Sequence, residues 1–235
     1  MNECISVGRS KLLEITSWGT GLLRDALKLD ALKEIHYLPE LDLDSVSEPK
    51  LSRSNWPTLS SQQENAYESI KNSSQTVHYL QGVTGSGKTE VYLNLVFDCL
   101  RSHQSVIFLV PEIALTPQFV NIFKKRFGEL VAVIHSKIND RQKYLEWKHL
   151  LEGRKRVVIG ARSALFSPVS KLGLIILDEE GESTYKQETS PFYDARRVAE
   201  KKAQIMGAKL VMGSATPSLN AWSRIQSGDI PCQRM

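Results

Sequence analysis

Gly82-Val83-Thr84-Gly85-Ser86-Gly87-Lys88-Thr89 decides how the rest of this 235-residue chain is read. The octapeptide follows the apolar run Val77-His78-Tyr79-Leu80 and precedes a helical pattern, Val91-Tyr92-Leu93-Asn94-Leu95-Val96. It is therefore the turn between a buried strand and a helix, which is the setting a P-loop requires. Its glycines let the backbone turn tightly enough for successive N–H groups to face phosphate oxygens, and the helix behind adds the positive end of its dipole. In this reading Gly82, Gly85, Ser86 and Gly87 form the cradle and Lys88 reaches the β- and γ-phosphates. Thr89 offers its hydroxyl to Mg²⁺, a hard cation that takes oxygen ligands. The expected cofactor is ATP with Mg²⁺. A glycine-rich turn matching by chance is the competing reading, and the strand and helix on either side weigh against it.

Outward from this turn the pattern is regular. Apolar runs at Val77–Leu80, Ser105–Val110, Leu130–Ile134, Arg156–Ile159, Leu172–Leu177 and Lys209–Met212 alternate with helical stretches at Ser61–Lys71, Lys88–Arg101, Leu115–Phe127, Asp140–Leu151 and Asp194–Met206. Short β-branched runs separated by helices predict an α/β fold with a mainly parallel sheet and helices on both faces, the layout of a RecA-like P-loop NTPase lobe. Ligands in such sheets sit at the carboxyl ends of the strands. The polar motifs follow the apolar runs, so they are expected to converge on one sheet edge. Residues 1–55 read differently. Leucines at helical intervals in residues 21–35 predict one amphipathic helix, and Pro39 onward to Ser54 reads as a linker. Fifty-odd residues bury too little surface to fold alone. The expected organisation is 1–55 as the remnant of an upstream region plus linker, 56–228 as the ATP-binding lobe, and 229–235 as a truncated tail.

Composition narrows the function class. An apolar fraction of 41% supports a real core, and a net charge of +4 leaves nucleic-acid contacts to local patches. Cys4, Cys99 and Cys232 are odd in number and far apart, which argues against a disulfide framework and against zinc ligands in this chain. Without an apolar run of membrane length or a signal sequence, a cytoplasmic protein with no membrane partner is expected.

Two further motifs carry chemistry. Leu174-Ile175-Ile176-Leu177 ends in Asp178-Glu179-Glu180, an acidic strand end of the kind a P-loop site uses, with Asp178 assigned to Mg²⁺ and Glu179 to the attacking water. The alternative is a strand terminus with solvated acids. Gly213-Ser214-Ala215-Thr216-Pro217 offers small hydroxyls that can relay a change at the γ-phosphate, or, read alone, a capped strand-to-helix turn.

Taken together, GVTGSGKTEVY (82–92), VPEIALTPQ (110–118), IHS (134–136), IGARSALFSP (159–168), LDEE (177–180), STYKQE (183–188), YDAR (193–196) and GSATPSL (213–219) resemble the successive motifs of the PriA-type primosomal helicases. The resemblance implies a superfamily 2, 3′-to-5′ DNA helicase that restarts stalled replication forks. It also implies single-stranded and forked DNA as substrates, with primosome proteins and single-stranded DNA-binding protein as partners. Carried over residue by residue, it makes Gln63 the adenine-reading glutamine. Pro111, Glu112, Thr116, Gln118, Arg162 and Ser163 become residues lying along DNA. Tyr185, Lys186, Phe192, Tyr193 and Arg196 fall in an aromatic-rich DNA-sensing loop, where stacking is worth about 1–3 kcal/mol per base; the alternative is aromatics tucked into the core beside a loop. Ser214 and Thr216, in the Ser/Thr motif, are the coupling hydroxyls, placed to relay a change at the γ-phosphate to a neighbouring lobe.

The resemblance also implies parts that these residues do not include: a second motor lobe with its arginine finger, and a cysteine-rich zinc module. The chain reads as a first motor lobe, a fragment or shortened protein, that binds nucleotide and hydrolyses it poorly, since an arginine finger is worth about 10³–10⁵ in turnover. The second reading is a nucleotide-dependent DNA-binding or adaptor module without motor activity. A small-molecule kinase leaves the VPE and SATP motifs unexplained. In one place the sequence departs from the family: its acids are followed by His, whereas here Gly181 follows Glu180.

Overall fold

The apolar runs become strands in the computed structural model, which describes residues 51–235 apart from Asn55 and Lys137. Strand β1 (Val77–Gln81), β2 (Ser105–Leu109), β3 (Val131–Ile134), β4 (Val157–Gly160), β5 (Leu172–Asp178), β8 (Lys209–Ser214) and β9 (Cys232–Arg234) form one seven-stranded sheet in the order β3-β4-β2-β5-β8-β1-β9. Every pairing in it is parallel. A separate two-stranded antiparallel hairpin pairs β6 (Lys186–Gln187) with β7 (Tyr193–Asp194).

Among the described residues six α-helices cover the sheet: α1 (Ser61–Asn72), α2 (Lys88–Arg101), α3 (Pro117–Phe127), α4 (Asp140–Leu151), α5 (Ala195–Met206) and α6 (Leu219–Gln226). Because strand side chains alternate in direction, neighbours on one strand enter opposite cores. Val106, Phe108, Leu174 and Ile176 join Tyr67, Val91, Tyr92 and Phe123 from α1–α3 on one face. Ile107, Leu109, Ile175 and Leu177 join Leu150, Ala195, Ala199 and Ala221 from α4–α6 on the other. Strands buried on both faces are why these runs are nearly continuous in apolar residues, with His78 and Ser105 as buried polar exceptions.

Local chemistry sets the helix starts. Ser60 and Gln63 make a reciprocal capping box on α1, Thr116 caps α3 with Pro117 in its first turn, and Asn139, Asp194 and Ser218 cap α4, α5 and α6. The cap after the Ser/Thr motif is thus Ser218, with Pro217 before it, and not one of the motif's own hydroxyls.

The described residues fall in one compact unit, Ser47–Met235. Its borders differ from 56–228. Upstream, Leu51 and Trp56 pack on the core, and the Arg53 guanidinium lies 4.3 Å from the Phe97 ring centre and 2.7 Å from Asp98 Oδ1. Downstream, residues 232–234, within the stretch expected as a truncated tail, pair with Tyr79, Leu80 and Gln81 at the sheet edge. The helix expected in residues 21–35 lies outside the described residues. No helix among those described is long and apolar enough to cross a membrane.

Candidate active site

The carboxyl ends of three adjacent strands, β5, β8 and β1, bring the acids, the Ser/Thr motif and the P-loop side by side. Gly85 and Gly87 adopt φ of +83° and +86°, left-handed values that side chains resist, so the loop needs glycine at both. A Cβ on Gly87 would also lie 2.1 Å from Gln63 Nε2. Gly87 is the N-cap of α2 and no side chain caps that helix, whereas every other α-helix among the described residues carries a side-chain cap. Its first N–H groups are thus left to an anion. Ser86 Oγ is buried without a partner in the same loop. These features fit a nucleotide phosphate chain.

Lys88 is buried, donates to Gly82 O at 2.7 Å and stands 3.5 Å from Glu179 Oε1. Glu179 has φ of +51°, a strained value for a residue with a side chain. Its second oxygen accepts from Ser214 Oγ at 3.2 Å, and Ser214 Oγ in turn accepts from Thr216 N at 3.2 Å. Lys88, Glu179, Ser214 and Thr216 are therefore one continuous polar chain. Beside it, burial, reinforced by the Glu179 charge, raises the Asp178 carboxyl to about 6, while Lys88 opposes the rise. A half-buried carboxylate with that much to gain from a cation fits the Mg²⁺ anchor, with Thr89 at the start of α2.

Gln63 donates from Nε2 to Ser86 O at 3.2 Å while its Oε1 accepts from Ser60 N at 2.8 Å, so it lies on the P-loop with its carbonyl spent on the capping box. Pro111 and Glu112 follow β2, and the Ser136 hydroxyl donates to Glu112. Thr116 is occupied as the α3 cap, whereas Gln118 and Ser163 are exposed.

The aromatic-rich loop is only partly the open surface expected from its sequence. Tyr185 is 1% exposed, and its hydroxyl lies 2.5 Å from Asp178 O and 3.1 Å from Leu109 O. It cannot stack on a base in this conformation: the ring is core, and it ties the loop to the acid-bearing strand. Arg162 Nη1 donates to Thr184 O and Lys186 O at 2.8 and 3.1 Å, bracketing Tyr185. Arg196 binds the Asp194 carboxylate through Nε and Nη2 and donates from Nη1 to Glu180 O at 3.1 Å. Both arginines brace the loop through hydrogen bonds to backbone carbonyls. Tyr193 packs edge-on against Phe166 at 5.2 Å. Phe192, 76% exposed, and Lys186 remain open for a ligand.

The sequence reading passed over three residues. Glu180 is 2% exposed and accepts from Ser218 Oγ (2.6 Å), Ser218 N (3.1 Å) and Tyr79 Oη (3.3 Å). Tyr92 Oη donates to Asp178 Oδ1 at 3.1 Å. Gly213 lets that phenol pass. The one available signal was Tyr92's position one helical turn beyond Lys88.

A sequence model of the DEAD/DEAH box helicases matches residues 60–224. The chain belongs to that family. Helicases of this family use ATP and Mg²⁺, in keeping with the loop and acids described above. The chain is 40% identical over 230 residues to replication restart protein PriA of Bacillus subtilis, covering 96% of this chain and 28% of that protein. With PriA of Synechocystis it shares 47% over 181 residues, covering 76% and 22% respectively. With PriA of Chlamydia pneumoniae it shares 48% over 170 residues, covering 72% and 23%. The chain thus spans about a quarter of the length of these relatives. Among solved structures, RecG bound to a three-way DNA junction superposes with a TM-score of 0.56 at 23% identity, covering 75% of this chain and 24% of that one. The Hef helicase domain of Pyrococcus furiosus gives 0.55 at 17%, covering 74% and 37%. These likenesses confirm the RecA-like helicase lobe as the fold.

Proposed function

We propose that the chain is the ATP-binding motor lobe of a 3′-to-5′ DNA helicase of replication restart, acting in the cytoplasm on single-stranded and forked DNA with primosome proteins as partners. The observation that carries this reading is the polar chain Lys88–Glu179–Ser214–Thr216 beside Asp178, which joins the P-loop, the acidic strand end and the relay motif across three adjacent strands. When bound, ATP·Mg²⁺ supplies the phosphoanhydride whose hydrolysis drives such a motor. The α2 N–H groups and Lys88 would hold the phosphates, Thr89 and Asp178 would hold the metal, and Glu179, with Lys88 engaged by phosphate, would be free to orient the water. Ser214 senses the change, because its hydroxyl is hydrogen-bonded to that same carboxylate. On the DNA side, Phe192 and Lys186 supply stacking and charge, with the exposed Glu112, Gln118 and Ser163 at the same end of the sheet, whereas Pro111 is buried and supports the turn after β2. Tyr185, Arg162 and Arg196 transmit the loop's position to the backbone of Asp178 and Glu180.

The test is to join residues 47–235 to the second motor lobe of a PriA protein and to measure ATP hydrolysis with and without single-stranded DNA, and unwinding of a forked duplex. Hydrolysis stimulated by DNA and abolished by Glu179→Gln is expected. A folded fusion that binds ATP yet unwinds nothing and ignores DNA would refute the motor reading and favour the adaptor.

A further inference from the structure

Helix α2 reaches toward the acidic strand end with two side chains one turn apart. Lys88 meets Glu179, and Tyr92 meets Asp178. Residues at i and i+4 share a helix face, so a single rigid helix fixes both carboxylates. The second contact is made across an intervening strand. In the sheet β8 lies between β1 and β5, and Gly213 of β8 is in register with Asp178 of β5 and Leu80 of β1. The Tyr92 phenol passes Gly213 to reach Asp178 Oδ1 at 3.1 Å. A Cβ on Gly213 would sit 1.8 Å from the Tyr92 hydroxyl oxygen, so the contact exists because β8 has no side chain there. Tyr92 is fully buried, and its ring stands edge-on to Phe108 at 5.6 Å. It has little freedom to turn away.

We infer that Tyr92 is a positioning residue for metal binding: its hydroxyl occupies Oδ1 of Asp178, fixes the carboxylate plane, and leaves the other oxygen to meet the hydrated cation of a bound nucleotide. The competing reading is that Tyr92 only fills the core. A purely apolar role is served equally by phenylalanine, and would not require a glycine at the one point where the hydroxyl passes. Partners that orient a metal-binding carboxylate commonly change metal affinity by about 10–100-fold when removed.

The inference rests on the proposed nucleotide site, and the experiment separates the two. Binding of a fluorescent ATP analogue to the 235-residue chain is titrated with Mg²⁺, starting from EDTA, for wild type and Tyr92→Phe. The expected result is unchanged affinity in EDTA, with the Mg²⁺ concentration that gives half of the metal-dependent gain raised about 10-fold or more. Gly213→Ala, which displaces the same hydroxyl while keeping the ring, is expected to raise it likewise, so the test does not hang on one variant. Half-saturating Mg²⁺ equal to wild type in either folded variant overturns the inference and leaves the nucleotide site standing. A loss of affinity that is the same in EDTA and in Mg²⁺ also overturns it, since the phenol would then support the loop and not the metal. A wild-type protein that binds the analogue with no gain from Mg²⁺ removes the metal site itself, and the inference with it.

Discussion

Removing the buried carboxylate of Glu180 is expected to destabilise the lobe more than removing either acid beside it. Glu180 is 2% exposed and accepts from Ser218 Oγ, Ser218 N and Tyr79 Oη, with Arg196 Nη1 at 3.9 Å. Glu180→Ala leaves those donors unsatisfied where water has little access, and opens a cavity between the end of β5 and the start of α6. Breaking a buried charge network from one side costs about 3–5 kcal/mol. For a domain of this size each kcal/mol lowers Tm by about 2–4 °C, which gives a fall of roughly 6–20 °C. Glu180→Gln keeps the volume and one acceptor oxygen, and is expected to lose about half as much. The assay is thermal unfolding followed by circular dichroism. A double-mutant cycle with Ser218→Ala adds the pairwise term, expected at about 1–2 kcal/mol because the serine hydroxyl donates to the removed oxygen. A Tm for Glu180→Ala within about 2 °C of wild type, or strict additivity with Ser218→Ala, would refute the idea that this carboxylate fastens α6 to the acidic strand end.

Asp178 gives a pH prediction. Its folded pKa is raised, so the neutral acid is favoured in the fold and the burden of the charge is absent below the ordinary value of 3.8 and fully present above about 6. Stability without nucleotide therefore falls as pH rises through that window, by at most about 3 kcal/mol. Asp178→Asn should flatten the profile and be more stable than wild type at pH 8, checked by urea unfolding across pH. In the loop, Phe192→Ala is expected to weaken binding to single-stranded DNA by about 1–3 kcal/mol without changing the salt slope, whereas Tyr185→Ala should lower Tm because its ring is core. At Gly181 a Cβ would lie 2.8 Å from the backbone oxygen of Thr216 and 3.9 Å from Ser214 Oγ, so a histidine would face the relay motif only if the backbone at Thr216 moves aside. In the two-lobe fusion, Gly181→His is expected to raise DNA stimulation with the basal rate unchanged, measured by steady-state phosphate release.

The sheet and its helices were legible because the strands buried on both faces write themselves as apolar runs, and because the P-loop fixes where a strand ends and a helix begins. The end strand was not legible: Cys232-Gln233-Arg234 has no apolar pattern, and it is a strand because the backbone of Tyr79–Gln81 offers it an edge. Which aromatic of the loop is core was not legible for a related reason, and it is Tyr185. Flanked by Ser183, Thr184, Lys186 and Gln187 it has the look of a surface aromatic, and only the fold carries it under the loop to the Asp178 carbonyl. The acids and the loop lysine were legible from motif chemistry. Their supports were not, because Tyr92 and Asp178 are 86 residues apart and Ser218 and Glu180 are 38 apart. No local pattern predicts such contacts. The glycine at 213 reads as part of a turn until the phenol beside it is seen.

The central claim is that Lys88 and the loop around it hold the phosphates of ATP, and the measurement that tests it most directly is equilibrium binding of a fluorescent ATP analogue to wild type and Lys88→Ala. Wild type is expected to bind in Mg²⁺, and the variant, folded with a Tm near that of wild type, to have lost detectable binding at the same protein concentrations. Equal affinity in the two proteins would contradict the account.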